Sequence, residues 1–451
     1  MEKLFKLKEH GTDPKTEMIA GATTFLSMVY ILAVNPSILS ASGMNPASVF
    51  TATVVSAIIA TLFMAFMANY PVALASGMGL NAYFAYSVCI PLAKSGIKDP
   101  WKIALAAVLV EGVIFILLSL VSFREKLVND VPKNLKFGIT AGIGLFITLI
   151  GLKGAGVVVA SDATILELGK VTTPEFALAM LGLIIVATLH HFDVKGYILF
   201  GILATWILGM IAQACGWYVV DPAASRFSLY PSLAGANFIP SAPHFFSFDF
   251  SWLSNHFLDF CVIVFSFLFV DLFDTVGTLI GVASKGNMLD ENGNLPNAKA
   301  ALLADAIGTV SGACLGTSTV TSYVESSAGV ANGGRTGLTS VSTAVLFFIA
   351  LFLSPIFLAI PAFATTPALV WVGLLMISSI REMHFDGDIA DVVGGFLAVI
   401  MMPFTYSIAN GIMFGMLSWV ILKVVTGKAK DVTPVMWISF IIFALRIITL
   451  I

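Results

Sequence analysis

The sequence predicts an all-α polytopic membrane protein of 14 transmembrane segments, built as two inverted repeats of seven, with segments 3 and 10 broken. Three observations predict it. Of 451 residues, 58 % are hydrophobic and only 11 % are charged, whereas a soluble domain is about 25 % charged. Apolar runs approaching the roughly 20 residues that cross a bilayer recur fourteen times. Two segments at matching places, one in each half, are too rich in small and hydroxyl-bearing residues to be continuous membrane helices.

The same composition excludes other classes. A mean hydropathy of +0.97 rules out a soluble enzyme and a disordered chain. The net charge of −3 leaves no basic surface for nucleic acid, so the expected surroundings are membrane lipid. Cys89, Cys215, Cys261 and Cys314 lie in or beside apolar stretches without a CxxC pair and read as small core residues. No spacing of His, Cys and Asp resembles a zinc site, and no cofactor or metal is expected.

In the first half the segments lie near 17–39, 47–69, 71–90, 102–123, 134–153, 174–192 and 196–214. In the second they lie near 257–283, 298–314, 316–330, 337–357, 363–380, 389–405 and 408–425. A further apolar run, 434–450, is short and contains Arg446, and reads as an interfacial or packing helix. The linker 215–256, rich in Pro, Ser, Phe and Trp, reads as an extracellular hairpin or cap. The first run follows mostly polar residues and is too long for a signal-peptide core, so it is expected to be retained. With the N-terminus in the cytoplasm, alternation puts sixteen of the 23 Lys and Arg inside, among them Lys133, Lys136, Lys285, Arg335, Arg381 and Lys423. That bias predicts both termini inside a plasma or inner membrane.

The halves carry traces of repetition. Phe200-Gly201-Ile202-Leu203-Ala204 is matched 214 residues later by Phe414-Gly415-Met416-Leu417-Ser418. The two anomalous segments are 70–90 and 312–332. Half of the stretch 316–329 is Ser or Thr. Irregular backbone at membrane depth is tolerated only where protein buries it or water reaches it. Such a pair in corresponding places points to a transporter site at the midplane. Seven crossings per half require the second half to be inverted.

Buried charges mark the site, because each costs about 2.5–3.5 kcal/mol in a membrane helix. Asp271 and Asp274 are three apart and share a helix face, which Thr275 and Thr278 extend. Glu325 sits in the second broken segment and Asn81 in the first. The expected pocket joins Asp271, Glu325 and Asn81 with N–H groups at the starts of two half-helices. Carboxylates suit a ligand with several N–H donors, and buried ones hold protons readily. Ser322-x-x-Glu325 also has the spacing of a capping box. Asp305 and Glu111 read as structural, and Tyr83 and Phe84 as core packing. Two membrane acids could also form an aspartyl-protease dyad, but the Gly-x-Gly-Asp motif of that chemistry is absent.

Four stretches carry a resemblance: EHGTDPKTEMIAGATTFLSMVYILAVNP, ASGMGLNAYF, VDLFDTVGTLIG and GTSTVTSYVESSAGVANGGRTGLTS. They resemble the Azg-like hypoxanthine/adenine/guanine permeases of the nucleobase–cation symporter-2 superfamily, over nearly the whole chain. The resemblance implies a substrate-carrying core from 1–123 and 257–357, and a gate from 134–214 and 363–425. It implies a homodimer, elevator-type alternating access, and symport of a purine base with a proton. It further implies that Asp271, Glu325 and Asn81 bind the base. Backbone N–H groups near Leu80 and Val324 would meet ring acceptors, and Asp274, with Asp271 and Glu325, would serve proton coupling. An anion transporter of the same fold is the alternative, disfavoured by a pocket lined with acids.

Overall fold

The computed structural model describes residues 2–120, 130–162, 164–221, 226–231, 238–290 and 295–450. Arg124 and Lys126, which contribute to the cytoplasmic charge bias, lie outside the described residues. The chain is mostly helical, with two small sheets of two strands each among the described residues. Ten of the described helices are long and apolar enough to cross a membrane.

The first expected span is two helices, Pro14–Met28 and Ile31–Ser40. Asp13 caps the first, accepting from the N–H groups of Lys15 and Thr16 at 2.9 and 3.2 Å. Pro36 lies inside the second. It lacks an N–H and crowds the carbonyl four residues back. The chain tightens at the junction, where Leu32 and Ala33 donate to Val29 and Tyr30 at 3.0 Å. Tyr30 therefore sits at a break inside the membrane-length element.

The third element is a strand, Leu74–Ser76, a short helix, Met78–Ala82, and a wider π turn, Tyr83–Cys89. The tenth is a strand, Val320–Ser322, followed by Ser326–Ala331. The two strands pair antiparallel, with Ala75 opposite Thr321. Their backbone polar groups thus satisfy one another inside the protein, as membrane depth demands.

The helices form two packing groups. In one, Pro14–Met28 packs on Gly337–Ala350, Pro46–Phe63 on Ala298–Leu315, and Pro100–Leu120 on Ala298–Leu315 and Phe257–Lys285. Glu17 ties the first pair, accepting from the N–H groups of Arg335 and Thr339 at 2.9 and 3.0 Å. In the other, Lys133–Gly154 packs on Ala362–Ile377 and Ile389–Thr405, which packs on Ile408–Val425. Pro174–His191 packs on Tyr197–Ala214 and on Ala362–Ile377.

Three features complete the fold, of which the first was not expected. Val158–Ser161 and Ile165–Leu168 form an antiparallel hairpin between the fifth and sixth elements. In the 215–256 linker, Arg226 donates to Glu175 of the sixth element at 2.6 Å, and Phe246 N–H donates to the Cys314 carbonyl of the ninth at 2.8 Å. The C-terminal run is a continuous helix, Pro434–Leu450, packed on Ile408–Val425 and Phe257–Lys285.

Candidate functional site

The paired strands sit against the middle of Phe257–Lys285, where hydroxyls and acids form a buried cluster. Thr275 Oγ1 lies 2.8 Å from Thr321 Oγ1, 3.0 Å from both Asp305 carboxylate oxygens and 3.2 Å from Asp271 Oδ1. Ser322 Oγ donates to Asp305 Oδ1 at 3.3 Å. Thr319 Oγ1 donates to Glu111 Oε2 at 2.8 Å. Asp305 and Glu111 thus bind the strand of the second broken segment to neighbouring helices, consistent with a structural role.

A cavity of about 590 Å³ opens beside this cluster, between the two packing groups. Asp274, Val324 and Glu325 line it from one group, and Thr140, Val372 and Met376 from the other. Its lining reaches Lys136, Ser378 and Ser379, at the helix ends that also carry Lys133 and Arg381. A small adjoining cavity is lined by Gly79, Ile143, Phe273 and Asp274. Asp274 lines both, and Gly79 brings the first broken segment to it.

Glu325 Oε1 accepts the phenol hydrogen of Tyr30 at 2.5 Å, a short hydrogen bond. The capping-box expectation is corrected: the Glu325 side chain makes no capping bond to its half-helix, and Ser322 turns to Asp305 instead. Tyr30 is the partner that sequence reasoning missed. Its signal was the one phenol in LSMVYILAVNP, six residues before Pro36.

The expected site residues divide into two layers. Asp274, Val324 and Glu325 stand on the large cavity. Asp271, Asn81 and Leu80 are fully buried behind it and are absent from its lining. Asn81 Oδ1 accepts from Ser76 Oγ at 2.8 Å, and Ser76 Oγ lies 3.2 Å from Thr317 Oγ1. Asn35 Nδ2 donates to Thr317 Oγ1 at 3.1 Å and to Thr53 Oγ1 at 2.7 Å. Asn81 thus belongs to a buried polar chain joining the first, second, third and tenth elements. The Tyr323 hydroxyl closes the crossing, donating to the Ser76 carbonyl at 2.5 Å. Tyr83 and Phe84 are core, Tyr83 meeting Phe267 edge-on at 4.7 Å.

Comparison with known proteins places the chain. The model of a xanthine/uracil-type Permease family matches residues 15–414. Adenine permease AdeP of Escherichia coli (strain K12) is 40 % identical over 451 residues, covering 99 % of this chain and 96 % of that protein. Guanine/hypoxanthine permease PbuO of Bacillus subtilis (strain 168) is 41 % identical over 99 % of this chain and 100 % of that protein. Among solved structures, the transmembrane domain of the cyanobacterial bicarbonate transporter BicA aligns with a TM-score of 0.67 at 13 % identity, covering 89 % of this chain and 96 % of that one. Murine Slc26a9, an anion transporter in the inward-facing state, aligns at 0.64 and 11 % identity, over 91 % of this chain and 68 % of that one. The last two likenesses are of fold. With matched helices along nearly its whole length, the chain belongs to the nucleobase–cation symporter-2 family of membrane permeases.

Proposed function

We propose that the chain is a proton-coupled importer of purine nucleobases. The observation that carries this reading is the pair of acids, Asp274 and Glu325, facing one cavity at the start of a half-helix. A purine is flat and presents N–H donors and ring acceptors along its edge. Carboxylates accept the donors, and the backbone near Val324, which lines the same cavity, would meet the acceptors. The relatives named for adenine and for guanine and hypoxanthine support this substrate class. Protonation of a cavity acid and binding of the base are then linked, so that each alters the affinity for the other. Asp271 and Asn81, one layer back, support the cavity walls in this reading.

The architecture we propose is fourteen segments in two inverted repeats. The first packing group, 1–123 with 257–357, is the carrier, and the second, 134–214 with 363–425, is the gate. The antiparallel meeting of the two strands and the division of helix contacts support it. With the Lys- and Arg-rich ends in the cytoplasm, the cavity opens inward. Elevator motion would slide the carrier along the gate across this cavity. A homodimer rests on the family resemblance, and chemical crosslinking in native membranes tests it.

The anion alternative draws on the fold shared with a bicarbonate transporter. Lys136 at the cavity rim would favour it, but Asp274 and Glu325 at the centre oppose an anion. Uptake of labelled hypoxanthine, guanine and adenine into proteoliposomes, with and without an inward proton gradient, separates the two. Saturable uptake stimulated by the gradient is expected. No base uptake by folded protein, or competition by sulfate or bicarbonate, would overturn the proposal.

A further inference from the structure

The helix Pro434–Leu450 is 17 residues long, about 25 Å, which is near the short limit for crossing a bilayer. Its ends are held at opposite faces of the bundle. At its start, Thr433 Oγ1 donates to the Asp130 carbonyl at 3.0 Å, just before Lys133–Gly154. The preceding helix, Ile408–Val425, ends at this same level, where Lys423 and the following Lys428 both reach Asp388. At its far end, Arg446 Nη1 donates to Asp259 Oδ1 at 3.1 Å. Asp259 is in the first turn of Phe257–Lys285, whose other end carries Lys285. One side of the helix, Met436, Ser439 and Phe443, is buried, and the Phe443 ring lies 5.5 Å from Phe265. The other side, Ile438, Ile441, Leu445 and Ile448, is exposed and apolar, suited to lipid.

Arg446 enters a second cavity of about 500 Å³ at the face opposite the lysine-rich ends. Tyr83, Ser87, His256 and Asp259 line it from the carrier side, and Ser407 from the gate side. An arginine in a membrane helix must find water or a partner, and here it finds Asp259 at the edge of a cavity. The pair it makes joins two bodies. Asp259 stands on a carrier helix, while the C-terminal helix continues from the gate and packs between the gate helix Ile408–Val425 and the carrier helix Phe257–Lys285. His256 Nδ1 lies 3.6 Å from the other Asp259 oxygen.

We propose that Pro434–Leu450 crosses the membrane, so that its end lies outside, and that Arg446 latches the outer cavity by pairing with Asp259. This revises the expectation of two cytoplasmic termini. The latch rests on the alternating-access reading above: with the start of the helix tied to the gate through Thr433, an outward shift of the carrier parts Arg446 from Asp259.

Two measurements on the full chain test it. An epitope fused after Ile451 is expected to bind antibody on intact spheroplasts, while one at the N-terminus binds only after permeabilisation. Binding of both only after permeabilisation would overturn the crossing. For the latch, Ser407→Cys is introduced after the four native cysteines are replaced, and labelled with an impermeant maleimide without substrate. Arg446→Gln and Asp259→Asn should each raise the labelling rate about two- to fivefold, the range for a partly exposed ion pair. Arg446→Lys should keep the wild-type rate, and exchanging the two charges should restore it if either single variant folds poorly. Unchanged labelling in both neutral variants would overturn the latch. Neither readout uses purine uptake, so a failed substrate assignment would appear only in the proteoliposome assay.

Discussion

Glu325 and Asp274 are the residues on which the proposed chemistry turns. Glu325 is held by the Tyr30 phenol at the wall of the cavity it lines. Glu325→Gln exchanges an acceptor for a donor at that point. Hydrogen bonds to charged groups are worth about 1.5–3 kcal/mol, so base affinity should fall about tenfold or more by equilibrium binding of labelled hypoxanthine. Asp274→Asn should weaken binding by a similar factor because Asp274 faces the same cavity. Asp271→Asn should weaken it less, since Asp271 faces Thr275 in the packed interior. Equal losses at Asp271 and Asp274 would show that the cavity does not mark the binding layer.

At the scale of elements, helix ends and close crossings carry the stability. Asp388 caps Ile389–Thr405 through the Ala390 N–H at 3.0 Å and accepts from Lys423 and Lys428 at 2.7 and 2.9 Å. The Lys423 hydrogen bond, then that of Lys428, holds its carboxyl well below the usual carboxylate range. A depressed pKa contributes stability that is complete above the unfolded value, about 3.9, and lost as pH falls toward the folded one. Asp388→Ala should therefore lower the Tm at pH 7, with about 0.5–2 kcal/mol from the cap alone. The gap from wild type should narrow below about pH 4. Gly138 marks a crossing of Lys133–Gly154 with Ile389–Thr405, where an added Cβ would sit 2.9 Å from Gly395 Cα. Gly138→Ala should cost about 1–3 kcal/mol by overpacking, read as a lower Tm in detergent.

For the whole molecule, the two packing groups meet across the cavity that Asp274 and Glu325 line. If they move against each other, lining residues change their access to the cytoplasmic side. A single cysteine at Gly277, exposed and on the cavity wall, should react with a maleimide applied from the cytoplasmic face of inverted vesicles. Saturating hypoxanthine should slow that reaction. Labelling indifferent to base, in protein that transports it, would place the substrate elsewhere.

The membrane class, the run of apolar helices and the two interrupted segments are legible in the sequence. These follow from local composition: hydropathy decides what enters lipid, and small or hydroxyl-rich stretches cannot continue a lipid-facing helix. The sequence also singles out the acids, because each costs free energy in a membrane unless something compensates it. Tertiary structure decided which of them line the cavity. Asp271 and Asp274 lie about 60° apart on one helix, and helical spacing cannot say which faces a packed strand and which a cavity. The rotation of Phe257–Lys285 against the paired strands sets that, through Thr275 and Thr321. The Tyr30–Glu325 bond joins residues 295 apart, and no local pattern encodes such a partner. The C-terminal helix shows the same limit. Its length and its single Arg446 were legible, but whether it lies on the membrane or crosses it depends on where Asp259 waits.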